Sequence, residues 1–311
     1  MGLRWRRFFV PEYTRSEMNF PTSQNLAVQG QEEPYAGDAS SRDQAAAGLA
    51  ENALNAEFLS NVAHQLRSPL SSLRVSVDLL KDPAAVRNLE DVSRLMEAID
   101  RAASRLDRQI KDLLEAGYLQ AGTLSVNPRI APLGPAVTAA VGSVEKLARS
   151  RKVALAVNIG PEPLQVIADI ERVEQITASL LSNAVKFSPV GSTVSVRVYA
   201  CPDGPSADAD NAGVETTFLT RPLGARSYVC VAVHDSGPGV APTAHRRIFS
   251  PFNRGSDNGI APGGGAGLGL SIALGLVRLN KGAMWVRSST GMGAEFGFSV
   301  PAAADREVAE A

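Results

Sequence analysis

Four features of this sequence have residue types and spacings that could do chemistry. They are a helical imidazole, an asparagine and lysine three apart, an aspartate running into two glycines, and a glycine-rich stretch before a helix. The imidazole is His64, in the run Phe58-Leu59-Ser60-Asn61-Val62-Ala63-His64-Gln65-Leu66-Arg67-Ser68-Pro69-Leu70. It falls one position beyond the apolar line Phe58, Val62, Leu66, Leu70, so it should project at the edge of a packed face, near solvent. A neutral ring with one nitrogen exposed there can attack phosphorus. Pro69 lacks an N–H and crowds the preceding turn, which predicts a bend one turn past His64. A histidine without context is usually a surface or satisfied residue, so His64 gains meaning only from the rest of the chain.

That context comes from three segments further on. Asn183 and Lys186 share a helical face. The amide oxygen suits Mg²⁺, which keeps most of its waters and takes few protein ligands, and the lysine offers charge to phosphate. In Val233-His234-Asp235-Ser236-Gly237-Pro238-Gly239 a strand ends in a carboxylate that can accept the exocyclic amine of adenine, and the glycines let the base approach the backbone. In Gly263-Gly264-Gly265-Ala266-Gly267-Leu268-Gly269-Leu270-Ser271 glycine-rich backbone leads into a helix, whose free N–H groups and dipole attract phosphate. The stretch lacks the Gly-Lys-Ser/Thr ending of a P-loop and has no Rossmann strand before it. Each feature alone is weak: an Asn and a Lys are commonly solvated, and Asp-x-Gly-x-Gly is commonly a turn. His234 and His245 read as structural.

The elements that must position these groups follow from periodicity. Residues 1 to about 43 are polar and aperiodic and read as a disordered or adaptor segment. From about Gln44 apolar residues recur at helical spacing (Leu54, Phe58, Val62, Leu66, Leu70, Leu73, Val77, Leu80), break at Lys81-Asp82-Pro83, and resume from Asn88. The second run holds Val92, Leu95, Ile99, Ala103, Leu106, Ile110, Leu113 and Leu114, with Gly117 and Gly122 ending it. This predicts an antiparallel helical hairpin over 44–122. Two wide apolar stripes cannot be hidden by one hairpin, so a second copy should complete a dimeric four-helix bundle. Over 123–301 helices (133–150, 169–187, 267–280) alternate with strands (153–159, 165–168, 193–199, 228–233, 283–288, 295–300), which predicts an α+β sandwich: one mixed sheet with helices on one face. Residues 202–213 read as a flexible hairpin insertion, and 302–311 as a frayed tail.

Composition excludes several classes. The formal net charge of −1 gives no basic excess for nucleic acid. No run of about 18 apolar residues predicts a transmembrane helix. The basic, aromatic start has no apolar core or cleavage pattern of a signal peptide, so the chain reads as cytoplasmic. Cys201 and Cys230 are too few for a disulfide framework and read as ordinary thiols.

His64-Gln65-Leu66-Arg67-Ser68-Pro69-Leu70 resembles the H-box of two-component sensor histidine kinases, usually His-Glu-Leu-Arg-Thr-Pro-Leu. The three later segments, in this order, resemble the N, G1 and G2 boxes of the GHKL-type ATPase fold shared by histidine kinases, Hsp90-type chaperones, gyrase-type topoisomerases and MutL. Ile248-Phe249-Ser250-Pro251-Phe252-Asn253-Arg254 resembles the F box, and Gly291-Met292-Gly293 the last glycine pair.

The resemblance implies that His64 is the phosphoacceptor, with Gln65 and Ser68 beside it in the catalytic set. It implies that Asn183 holds Mg²⁺, Lys186 contacts phosphate and Asp235 reads adenine. It also implies an ATP pocket shaped by Phe187, Gly237, Gly239, Phe249, Phe252, Arg254, Gly265, Gly267, Leu268 and Gly269, under a mobile lid over about 240–266. The implied cofactors are ATP and Mg²⁺. The implied partners are a response regulator, a second copy of the chain and an upstream sensor protein.

Two departures stand out. Gln65 replaces the usual acid and can hydrogen-bond but not accept a proton, a brake on kinase rate. Ser68 keeps the hydroxyl that phosphatase activity uses. Ser179, four residues before Asn183, stands where ATP-hydrolysing relatives carry Glu, which argues against chaperone or topoisomerase chemistry. Two rivals stay open: an ATP-binding regulator that phosphorylates serine, and a catalytically degenerate scaffold.

Overall fold

The computed structural model describes residues 60–63, 65–82, 84–160, 164–202, 204–205, 214–220, 227–253 and 266–303. The segment 1–43, residues 44–59 of the expected hairpin, His64, most of the expected insertion and residues 254–265 of the expected lid, with Arg254 and Gly265, therefore lie outside the described residues.

Helix α1 covers 60–63 and 65–81. Asp82 caps the turn that follows, its carboxylate accepting the Ala84 N–H at 2.9 Å. Asn88 then caps α2 (Leu89–Gln120) by accepting the Asp91 N–H at 2.9 Å, and Glu90 and Asp91 favour the positive end of the helix dipole. Gly117, expected to help end this helix, lies inside it; the chain leaves the helix at Gln120 and turns at Gly122, whose φ is +67°. An interior glycine costs only about 1 kcal/mol in a helix, and packing against the second domain outweighs that.

The expected apolar stripes are only partly covered in one chain. Val62, Leu66, Leu73 and Val77 are half-buried, and Leu70 is 56% exposed. The most enclosed positions include the polar Gln65, Ser76 and Gln109.

The second domain is built on a six-stranded sheet in the order β2-β4-β6-β8-β7-β5. The strands are β2 (Ala154–Ile159), β4 (Thr193–Cys201), β5 (Thr216–Thr220), β6 (Tyr228–Asp235), β7 (Met284–Ser288) and β8 (Ala294–Pro301). Only β2 and β4 run parallel, so the sheet is mixed, as the pattern of elements predicts. Helices α3 (Leu133–Arg151), α4 (Ile170–Phe187) and α5 (Gly269–Leu279) share one core with alternate strand residues Val194, Val196, Val231, Val233, Phe296 and Phe298. The opposite strand parity, with Tyr228, Cys230, Ala232 and Trp285, forms a separate small cluster, which places the helices on one face.

Three expectations need correction. A strand β1 (Arg129–Pro132) pairs with β3 (Gln165–Ala168) as a separate two-stranded sheet; its four residues are too few to show a period. The connection after β4 is not a local hairpin alone, because it carries β5 to the far edge of the sheet to pair with β7. The thiol reading also fails, since Cys201 and Cys230 form a disulfide. Register explains it: Tyr199 pairs with Cys230 and Cys201 with Tyr228, so the cysteines are diagonal neighbours on one face with Cα atoms 6.2 Å apart. Ala302, the first residue of the expected tail, bridges Val166 and donates its N–H to the Ser227 carbonyl.

Candidate functional site

Asp235 ends the central strand β6 and is 4% exposed. Its carboxylate accepts the Gly237 N–H at 2.8 Å. Burial raises its pKa above the usual carboxylate range, partly opposed by backbone hydrogen bonds from Gly237 and Ala294 and by His234. A buried carboxylate whose own backbone bonds leave lone pairs to spare is an acceptor for a donor such as an amine.

The backbone closes in around it. A Cβ on Gly237 would lie 2.8 Å from Asp235 Oδ1 and 2.9 Å from the Phe187 carbonyl, so glycine is required where α4 ends against this loop. Gly239, with φ +70°, leaves no room between the carbonyls of Ser289 and Gly293. Ser288, which the sequence reading did not single out, stitches these loops together: its hydroxyl donates to the Gly293 carbonyl at 2.6 Å and accepts the Val240 N–H at 2.8 Å. A strand-end serine carries no sequence signal for that role.

The glycine-rich segment enters α5 at Gly269, with Leu268 at the N-cap and no side-chain cap bond, so the first-turn N–H groups keep their donor capacity. Gly267, with φ +72°, packs directly on Phe252. Ser179 Oγ of α4 lies 2.9 Å from where a Gly269 Cβ would stand, which brings the middle of α4 against the start of α5. Phe249 and Leu268 send their side chains into the core, Phe249 against Phe296 at 6.1 Å between ring centroids, while Phe187 is 41% exposed.

Asn183 and Lys186 sit near the C-terminal end of α4, both partly buried. Burial lowers the Lys186 pKa, with Arg108 and Arg151 adding to the effect and Asp112 opposing it. The helix is held at its start by Asp169, whose carboxylate accepts the Arg172 N–H at 3.3 Å and the Asn127 N–H at 2.9 Å. Among the described residues no cluster of three His, Cys, Asp or Glu could hold a metal by itself. The Asn183 amide is a fitting minor ligand for a cation held mainly by phosphate and water.

Asp235, Gly237, Gly239, Gly267, Gly269, Phe252, Asn183 and Lys186 thus fall on linked strand, loop and helix ends of one domain. Gln65 is buried and Ser68 exposed on α1. His245 is fully buried, with Nδ1 2.8 Å from Thr217 Oγ1 and Nε2 3.3 Å from the Val240 carbonyl, the satisfied structural role expected of it.

Residues 54–122 match the family model described as His Kinase A (phospho-acceptor) domain, and residues 168–304 the model described as Histidine kinase-, DNA gyrase B-, and HSP90-like ATPase. The chain is 29% identical over 248 residues to the sensor histidine kinase MtrB of Mycobacterium tuberculosis, covering 80% of this chain and 39% of MtrB. It is 30% identical over 244 residues to the adaptive-response sensory kinase SasA of Prochlorococcus marinus, covering 78% of this chain and 56% of SasA. The chain therefore spans well under two thirds of these relatives. In fold it is similar to the Acinetobacter baumannii histidine kinase AdeS, with TM-score 0.54, 17% identity, and coverage of 76% of this chain and 97% of that one. It is also similar to ShkA in complex with AMPPNP, with TM-score 0.52, 24% identity, and coverage of 79% and 45%.

Proposed function

The chain belongs to the two-component histidine kinases, and from that premise we propose that it transfers the γ-phosphoryl group of ATP to its own His64 and then to an aspartate of a response regulator. The observation that carries this reading is the Asp235 cradle: a buried acceptor for the adenine amine, walled by glycines and linked through α4 to Asn183 and Lys186.

In the proposed reaction an unprotonated ring nitrogen of His64 attacks the γ-phosphorus in line. An N–P bond forms, the bond to the β-phosphate oxygen breaks, and ADP leaves. Lys186 and the open first turn of α5 stabilise charge on the phosphates. Asn183 would hold Mg²⁺, which supplies charge neutralisation between the phosphates. Gln65 can accept a hydrogen bond from the other ring nitrogen but takes no proton, so that proton leaves to solvent. Ser68, exposed on the same helix, would act in hydrolysis of the partner's phosphoaspartate.

Helix α2 is continuous to Gln120, so we assign the swing of the nucleotide domain toward His64 to residues 121–128. The exposed apolar side chains of the hairpin favour a homodimer. Input would come from a separate sensor protein. Among the described residues no helix is long and apolar enough to cross a membrane, and we place the reaction in the cytoplasm.

Incubation with [γ-³²P]ATP should give acid-labile, base-stable label that disappears in His64→Gln while nucleotide binding persists. Equal label in that variant would remove His64 from the reaction. Nucleotide binding by the wild-type chain without any label would instead support a scaffold.

A further inference from the structure

One carboxylate near the end of α2 grips the first turns of α4. Glu115, almost enclosed with a 12% exposed side chain, accepts from Arg172 Nη1 at 2.6 Å and from Gln175 Nε2, and Arg172 also donates to Gln175 at 2.9 Å. Arg172 lies in the first turn of α4 and Lys186 in its last, about 20 Å apart at a rise of 1.5 Å per residue. A second contact closes the junction: Leu119 packs onto Gly275 of α5, where a Cβ would lie 2.8 Å from its methyl groups.

These contacts join two parts that the proposed reaction must move relative to each other. Helix α2 is rigid to Gln120 and belongs to the hairpin that carries His64. Helix α4 carries Asn183 and Lys186. While Glu115 holds Arg172 and Gln175, α4 cannot turn about residues 121–128. The enclosed Glu115 pair must be broken by the motion itself.

We propose that Glu115, holding Arg172 and Gln175, forms a latch that parks the nucleotide domain on α2, and that opening of this latch precedes and limits phosphoryl transfer to His64; this rests on the kinase reading above. Glu115 is a positioning residue, acting through Arg172.

The test uses the full chain and its Glu115→Gln variant, with Arg172→Gln as a second variant that removes the same pair from the other side. At saturating Mg-ATP the rate of His64 labelling should rise about three- to tenfold in both, the size expected for losing a hydrogen-bonded ion pair whose arginine is partly exposed and screened by solvent. The KM for ATP should stay within about a factor of two, because neither residue belongs to the proposed nucleotide pocket. A rate equal to or below wild type in both variants overturns the proposal. Independently of labelling, hydrogen exchange at residues 121–128 and in the first turn of α4 should quicken in both variants; unchanged exchange overturns the latch. A wild-type chain that takes no label, with exchange quickened as expected, leaves the contact real and sinks the kinase reading instead.

Discussion

The helical hairpin and the α/β domain bury their apolar residues on different terms. In the α/β domain Leu133, Ile176, Leu181, Trp285 and Phe298 are 2% exposed or less, and the core is complete within one chain. In the hairpin Leu70, Val75, Met96 and Leu114 are each more than half exposed, and the fully buried apolar residue of α2 is Ala102. The ion pairs along its surface, such as Arg101 with Glu97 at 3.2 Å and Lys111 with Asp107 at 2.8 Å, are solvent-exposed and contribute only about 0.3–0.5 kcal/mol each. Burying one large aliphatic side chain contributes about 1.5–3 kcal/mol, so uncovered apolar surface decides the hairpin's behaviour. The lesson is a division of labour. The α/β domain closes its core within one chain, while the hairpin leaves much of its apolar surface uncovered.

Three variants sharpen or break that contrast. The largest effect belongs to the domain with the intramolecular core. Asp235→Ala should weaken nucleotide binding about 10- to 150-fold, the loss of a buried hydrogen bond to a charged group, in a fluorescent-nucleotide titration. Its urea midpoint should move little against that loss; a pocket that binds equally well would dissociate Asp235 from adenine.

Next comes the hairpin. Val75→Glu should weaken self-association about tenfold or more in sedimentation, because an exposed apolar side chain that gains cover in the dimer is replaced by a charge. Unchanged association would mean that this face is not the one covered.

The smallest effect lies at the junction. Burial, together with Glu115, raises the Asp112 pKa from 3.8 to about 6, against the opposing pull of Arg108 and Lys186. A carboxyl whose folded pKa is raised contributes stability that is full below its unfolded pKa and is lost as pH rises through the folded one. The stability of wild type relative to Asp112→Asn should therefore fall between about pH 4 and pH 6.5, read from paired urea midpoints. A constant difference across that range would place Asp112 in solvent.

Much of the architecture was legible in residue order. Asn88 announced the start of α2, the alternation of Thr193–Tyr199 announced β4, and the glycines around Asp235 and Gly267 marked close approaches that the geometry then required. Local sequence acts through local physics there: capping, pleat and the missing Cβ. What stayed hidden depends on partners distant in the chain. β5 has strand-forming residues but takes its meaning from β7 across the sheet. Cys201 and Cys230 look unrelated until register sets them side by side. Ser288 is an ordinary serine until two loops converge on it.

By itself the sequence determined the succession of a helical hairpin and an α/β domain and the segments that match the two family models, because each rests on periodicity or on a short motif whose chemistry is contained in consecutive residues. Only the tertiary structure decided which helices touch across the two parts, and so placed Glu115 against α4. The physical reason is that an ion pair between residues 115 and 172 depends on how two independently stable faces dock, and no local rule of composition or spacing encodes that docking.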